Sequence, residues 1–326
     1  MTMKSENKMV KAILAILISA TFLAYCLSFV ACSQVSRDIP AVDELRTLGH
    51  GGINRTYLLH VPSGLHEGKS APLVFVFHGG GGDGMSMARL TGFDKLADRE
   101  GFIAVFPDGV SHNWNDGRQN MDSEAHQLNI DDIGFVDTLI ETIAREFPVD
   151  RKRIYATGIS NGAIFSHFLS AQMSSKIAAI SPVVGGIPVP FNEHFNPDNP
   201  VSVLIIQGTE DPLVPYDGGQ IANGNRGEII STDDAVELWV QYNACRTVPL
   251  KKNLPNNDLN DGCVEVQYTW SGGRANSEVV LIKIDGGGHT WPGGAQYLPK
   301  LVIGRVCNDF EATEIIWSFF KLHPKP

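Results

Sequence analysis

The chemistry-bearing residues of this chain of 326 amino acids fall in three short segments. The first, Gly158-Ile159-Ser160-Asn161-Gly162, reads G-x-S-x-G. It follows the strand-like run Arg153-Ile154-Tyr155-Ala156-Thr157 and precedes a run with helical character from Ala163 to Leu169. A sharp strand-to-helix turn of this kind lifts a serine hydroxyl above a parallel sheet. Glycines on either side leave the turn free of colliding side chains. The pattern by itself also occurs as an ordinary Gly/Ser turn, so its setting carries the weight.

A serine hydroxyl is a weak nucleophile at neutral pH. It needs a base to take its proton and a carboxylate to orient that base. On a fold with such an elbow the three follow in the order Ser, Asp or Glu, His. Asp211 fits the acid: it stands in Gln207-Gly208-Thr209-Glu210-Asp211-Pro212, just past the apolar run Val203 to Ile206. Glu210 and Asp217 are its neighbouring competitors, and a turn aspartate bonding its own backbone is the bland alternative. His289 fits the base. It lies in Asp285-Gly286-Gly287-Gly288-His289-Thr290-Trp291-Pro292-Gly293-Gly294, directly after the apolar run Val279 to Ile284. His112, His126 and His194 precede Asp211, His167 falls in the helix after the elbow, and His323 is terminal, so order selects His289.

Acyl transfer also requires donors for the developing oxyanion. The segment Phe77-His78-Gly79-Gly80-Gly81-Gly82-Asp83-Gly84 follows the strand-like run Leu73 to Phe77. It predicts an oxyanion hole formed by the backbone N–H groups of Gly80 and Asn161. The segment has neither the G-K-[ST] ending of a P-loop nor the G-x-G-x-x-G spacing of a dinucleotide site. Trp114 and Trp291 flank the motifs and are candidates to line the substrate pocket, with half-buried packing as the alternative.

These residues need a scaffold. Short apolar runs at Leu73–Phe77, Phe102–Phe106, Ile154–Thr157, Ala178–Val184, Val203–Gln207 and Val279–Ile284 read as buried strands. Ile133–Phe147, Asp233–Tyr242 and Glu311–Leu322 carry helical periodicity. Such alternation predicts an α/β fold with a mostly parallel sheet covered by helices on both faces. The polar stretches 111–129, 188–200 and 251–262 read as surface loops, and loops past strand ends are where ligands bind in open α/β sheets.

The N-terminus carries an address. Lys4, Lys8 and Lys11 precede the apolar run Ala12 to Ala31, which ends in Phe29-Val30-Ala31-Cys32-Ser33. Residues 1–31 read as a signal peptide of lipoprotein type, with Cys32 the lipidated residue; plain secretion and an uncleaved anchor are the alternatives. Residues 32–48 read as a tether and 49–326 as a single catalytic domain. An extracytoplasmic protein results, touching membrane only through its lipid. Of five cysteines, Cys245, Cys263 and Cys307 remain for the folded part. One disulfide is expected, and a loop-rich connection favours Cys245–Cys263, although sequence does not fix the pairing. A formal net charge of -10 argues against a nucleic-acid partner. Oligomeric state is left open.

Taken with their surroundings, these motifs resemble the polyhydroxybutyrate depolymerase-type esterases, which are related to the feruloyl and acetylxylan esterases of carbohydrate esterase family 1. The resemblance rests on Phe77 to Gly82, Trp114-Asn115-Asp116-Gly117, Asp131 to Phe135, Tyr155 to Gly162, Gly208 to Pro212 and Gly287 to Gly293, and it runs from about Tyr57 to Leu322. It implies an α/β-hydrolase fold and ester hydrolysis with no metal and no organic cofactor. Ala163 stands where many members of that group carry a second glycine. Feruloyl, acetyl, hydroxybutyrate-oligomer and simple short-chain esters remain open as substrates. A serine peptidase, an acyltransferase and a non-catalytic surface-binding lipoprotein are the competing readings.

Overall fold

In the computed structural model, the residues described are 39–65, 68–119, 122–224 and 226–326. The leader (1–31), Cys32 and the rest of the first part of the expected tether lie outside them. Twelve strands are present among these residues: β1 (Val42–His50), β2 (Ile53–Val61), β3 (Ala71–Phe77), β4 (Ile103–Pro107), β5 (Val149–Ile159), β6 (Ala179–Val183), β7 (Ser202–Gly208), β8 (Gly219–Gln220), β9 (Glu228–Ile229), β10 (Leu250–Asn253), β11 (Val264–Trp270) and β12 (Val279–Asp285). Ten of them form one sheet in the order β1-β2-β4-β3-β5-β6-β7-β12-β11-β10. The six strands from β4 to β12 in that order pair in parallel. Antiparallel pairs flank them: β1 and β2 at one edge, β11 and β10 at the other.

The parallel strands are apolar along nearly their whole length because both faces are covered, so neither face needs polar residues. One core cluster includes Phe75, Phe77, Trp114, Phe135, Leu139, Phe165 and Trp239; the other includes Val74, Val76, Phe93, Phe102, Tyr155, Trp291, Trp317 and Phe320. Alternate residues of β3 supply the two clusters, as a period of two requires. The longer helices are α1 (Gly84–Thr91), α2 (Phe93–Glu100), α3 (Asp132–Glu146), α4 (Asn161–Gln172), α5 (Thr232–Asn243) and α6 (Ala312–Leu322). Helix α3 turns Phe135, Val136, Leu139, Ile140 and Ile143 inward, the face its periodicity predicts. Among the described residues no helix is long and apolar enough to cross a membrane.

The fold corrects two expectations. Folded structure starts earlier than residue 49: Val42 to Leu48, read as tether, pairs residue for residue with Val61 to Arg55. Cys245 and Cys263 are not bonded to each other; both are buried free thiols, as is Cys307. The Cys245 sulfur lies 3.7 Å from the carbonyl oxygen of Ser277. The Cys307 thiol, in contrast, interacts with Cys263 and bonds the Glu265 carboxylate at 2.7 Å.

Candidate active site

Strand β5 ends at Ile159 and helix α4 begins at Asn161, so Ser160 alone makes the turn. Its backbone has φ 58° and ψ -122°, a conformation that side-chain-bearing residues rarely adopt. Such strain persists only where surrounding structure enforces it. Here the enforcement is close packing. A Cβ on Gly162 would stand 2.4 Å from the Phe77 carbonyl oxygen, and one on Gly158 would stand 2.7 Å from that same oxygen. The elbow and the end of β3 therefore touch backbone to backbone.

The glycine-rich loop leaves β3 beside this turn. A Cβ on Gly79 would lie 3.2 Å from the Cβ of Ser160. Two imidazoles shape the loop. His78 donates from Nδ1 to the Gly79 carbonyl at 2.7 Å and accepts at Nε2 from the Gly109 N–H at 2.9 Å. Burial holds the His78 pKa below its ordinary value, so the ring is neutral, as the accepting Nε2 requires. His112 Nδ1 reaches the Gly82 carbonyl at 2.8 Å. Asp83 then caps α1 through a reciprocal pair of bonds with Ser86. The N–H groups of Gly81 and Gly82 are taken by the carbonyls of His112 and Gly79. Among the described residues no backbone acceptor takes the N–H of Gly80 or of Asn161.

Asp211 and His289 meet past the ends of β7 and β12. His289 Nδ1 lies 2.8 Å from Asp211 Oδ2, and both side chains are buried. The other Asp211 oxygen accepts from the N–H groups of Leu213 and Val214, each at 2.8 Å. These bonds fix the carboxylate's orientation and, through it, the ring's. Glu210, the nearest competitor, instead faces Arg305 at 3.6 Å. His289 sits on a loop backed by residues 303–307, a segment we call the strap: His289 N–H bonds the Ile303 carbonyl at 2.6 Å, Gly288 N–H that of Arg305 at 3.0 Å, and Gly293 N–H that of Cys307 at 2.8 Å. Gly288 is needed because a Cβ there would meet the Ile303 carbonyl oxygen at 2.4 Å.

Ser160, His289, Gly80 and Asn161 line one cavity of about 750 Å³. Its apolar wall includes Met87, Leu90, Leu213, Val214 and Ile221; Asn113, Arg118, Arg226 and Tyr297 supply polar groups. Neither tryptophan named from the sequence reaches it. Trp114 is fully buried, stacked on Phe165 with centroids 5.1 Å apart, and donates from its indole to the His78 carbonyl at 3.0 Å. Trp291 is buried against Phe93, its indole bonded to Thr313 at 3.1 Å. Both are packing residues whose one polar atom is satisfied internally.

Behind the elbow lies a buried polar network that the sequence did not announce. Asn161 Nδ2 donates to Asp116 Oδ2 at 2.6 Å, and Asn161 Oδ1 accepts from the Trp114 N–H at 2.8 Å. Asp116 also binds Arg118 at 2.8 Å and His126 at 3.0 Å. Burial pushes the Asp116 pKa up, but the Arg118 charge and the His126 bond outweigh it and hold the carboxyl below its usual range. One carboxylate thus joins the elbow to the loop of residues 113–126.

A ten-stranded, centrally parallel sheet with functional groups past its strand ends defines an α/β-hydrolase. The sequence profile described as "Esterase PHB depolymerase" matches residues 55–216. "Putative esterase NocK" of Nocardia uniformis subsp. tsuyamanensis is 31% identical over 266 residues, covering 77% of this chain and 75% of that protein. "Feruloyl esterase B" of Piromyces equi is 30% identical over 243 residues, 72% of this chain and 42% of that one. The solved acetyl xylan esterase from Aspergillus awamori superposes with a TM-score of 0.53 at 15% identity, over 76% of this chain and 94% of that one. The chain belongs to the PHB depolymerase esterase family, and it is an esterase acting on carboxylic esters.

Proposed function

We propose that Ser160 is the nucleophile of an acyl-enzyme esterase. The observation that carries this reading is the convergence of the strained Ser160 turn and the buried His289–Asp211 pair on one cavity. His289 takes the serine proton as Ser160 attacks the ester carbonyl. The N–H groups of Gly80 and Asn161 receive the oxyanion. His289 then protonates the departing alcohol, and water, activated by the same ring, releases the acid. Asp211 holds the imidazole tautomer and stabilises its charged form.

The cavity favours an ester with a bulky apolar part and a polar periphery, since aliphatic side chains line it together with Asn113, Arg118 and Arg226. Aromatic acyl groups on sugars, as in feruloyl esters, fit that description, and relatives in the comparison carry that activity in their names. Site-directed labelling tests the assignment: a fluorophosphonate should attach to Ser160, and attachment elsewhere would refute it. Turnover on matched feruloyl, acetyl and hydroxybutyrate-oligomer esters ranks the substrates, with the feruloyl ester expected to lead. The extracytoplasmic, lipid-anchored location is part of the same reading. It is supported by Lys4, Lys8, Lys11, the apolar run and Cys32. Loss of membrane fractionation in Cys32→Ala checks it.

A further inference from the structure

On the far side of the histidine loop two thiols share a buried polar cluster. Cys263 directly precedes β11, Cys307 lies in the strap, and each is 1% exposed. Their segments are held in register by bonds that involve no sulfur. Asp261 Oδ1 accepts from the Cys263 N–H at 2.8 Å, and Asp261 Oδ2 accepts from the Asn308 N–H at 2.7 Å. One carboxylate therefore clamps the amide of the first cysteine and the amide just after the second. Asp309 adds a second clamp, its Oδ1 accepting from the N–H of Asp258 at 2.6 Å and from that of Asn257. Within this frame the Cys307 thiol, in the segment that Asp261 ties to Cys263, interacts with Cys263 and bonds the Glu265 carboxylate at 2.7 Å.

We infer that Cys263 and Cys307 form a disulfide that staples the strap behind His289 to the start of β11. The oxidant is a disulfide of the glutathione or thiol–disulfide oxidoreductase class. One cysteine thiolate attacks that disulfide, expelling a thiol and forming a mixed disulfide. The second thiolate then displaces the remaining thiol and closes the Cys263–Cys307 bond. Two protons and two electrons pass to the oxidant, and Glu265 is placed to receive the proton of Cys307. Export, as expected from residues 1–31, would bring the chain to a compartment that supplies such oxidants.

The same cluster invites comparison with a metal site, because Asp261, Cys307 and Asp309 can present ligand atoms within 4.8 Å of one another. The hydrogen bonds argue otherwise. Both Asp261 oxygens and one Asp309 oxygen are engaged by backbone N–H groups. Asp309 Oδ2 and Glu265 Oε2 are buried without a hydrogen-bond donor among the described residues, and the Asp309 side chain favours the protonated form of Glu265, a poorer metal ligand than a carboxylate. The sulfurs are the pair left to react.

Peptide mapping tests this. The full-length protein is refolded in a reduced/oxidised glutathione buffer, alkylated without reduction and digested. The expected product joins the Cys263 and Cys307 peptides, two hydrogens lighter than their sum, with Cys245 alkylated. Reducing the protein, or substituting Cys263→Ser, should lower Tm by on the order of 5 °C. Alkylation of both Cys263 and Cys307, or a bond from either to Cys245, would overturn the inference. So would stoichiometric zinc with both thiols protected until a chelator is added. The mapping reads no activity, so its failure leaves the assignment of Ser160 standing.

Discussion

Ser160 stands on a turn between β5 and α4, pressed against the backbone of β3 and underpinned by the Asp116 network. His289 stands on a glycine-rich loop tied at its start to the end of β7 by the bond from the Glu210 N–H to the Gly287 carbonyl and anchored beyond by Trp291. At His289 itself the loop is backed by an irregular segment, the strap of residues 303–307, through single backbone bonds. The serine half is thus continuous with the core, and its geometry persists as long as the sheet does. The histidine half rests on chain that can open locally while the sheet stays intact. One site therefore has two ways to fail, and only one of them involves unfolding.

The largest effect should come from the chemistry itself. Ser160→Ala is expected to cut turnover of a p-nitrophenyl ester on the order of 10⁴–10⁶-fold with circular dichroism unchanged. Asp211→Asn should cost about 10⁴-fold by disturbing the tautomer of His289, again without unfolding. Retention of full activity by either variant would break the assignment of both halves.

A matched pair of glycine substitutions sharpens the contrast. Gly162→Ala should destabilise the whole fold by about 1–3 kcal/mol or more, because its Cβ meets the backbone of β3. Gly288→Ala should leave the denaturation midpoint nearly unchanged yet lower kcat, since the strap rather than the sheet moves aside. Equal losses of stability in the two variants would show that the halves are not mechanically distinct. Breaking the buried Asp116 ion pairs by Asp116→Ala should cost roughly 3–5 kcal/mol, measured by denaturant unfolding, which again places the damage in the core.

The two halves should respond to pH with opposite sign. Burial, with Asp309 and Asp261 adding to it, pushes Glu265 up to about 7 while the Cys307 bond opposes. A carboxyl raised on folding stabilises the fold fully below its unfolded value of about 4.3, and that contribution is lost as pH rises to its folded value. Amides of residues 303–309 should therefore be better protected at pH 5 than at pH 8, after correction for intrinsic exchange. Those of β3 should show the opposite sense, because burial holds His78 and His167 below the ordinary imidazole value and stability is lost there as pH falls. The smallest effect is expected for Tyr297→Phe. It removes a bond of 2.8 Å to the His289 carbonyl and should cost about 1 kcal/mol of local stability, seen as faster exchange in the same loop.

Much of the scaffold was legible because the parallel strands are apolar on both faces and stand out as short runs. Each of the six such runs falls in a strand, with ends shifted by a few residues. Of the antiparallel strands, β2 was legible from the alternation of Arg55 to Val61 before Pro62, but the two outermost were not. In β1 and β10 nearly every residue is exposed or half-buried, so neither offers the alternation that marks a strand. Pairing with a neighbour makes them strands. The helices α1 and α2, only eight residues each, were passed over for the same reason: the periodicity is too short to read. At the site, Ser160, Asp211 and His289 could be named because each sits at a strand end inside a recognisable motif. Asp116 could not, since its partners Arg118, His126 and Asn161 are brought together only by folding. The tryptophans misled because a large aromatic near a motif fills core as readily as it lines a pocket.

The backbone at position 160 also limits how this enzyme can be redesigned. With φ at 58° the turn admits an unbranched side chain far more readily than a β-branched one. Cysteine can take the place of serine there with its thiol in the same position, whereas threonine, which keeps a hydroxyl, would crowd the turn with its extra methyl. Conformation thus screens the candidate nucleophiles before reactivity is ever compared.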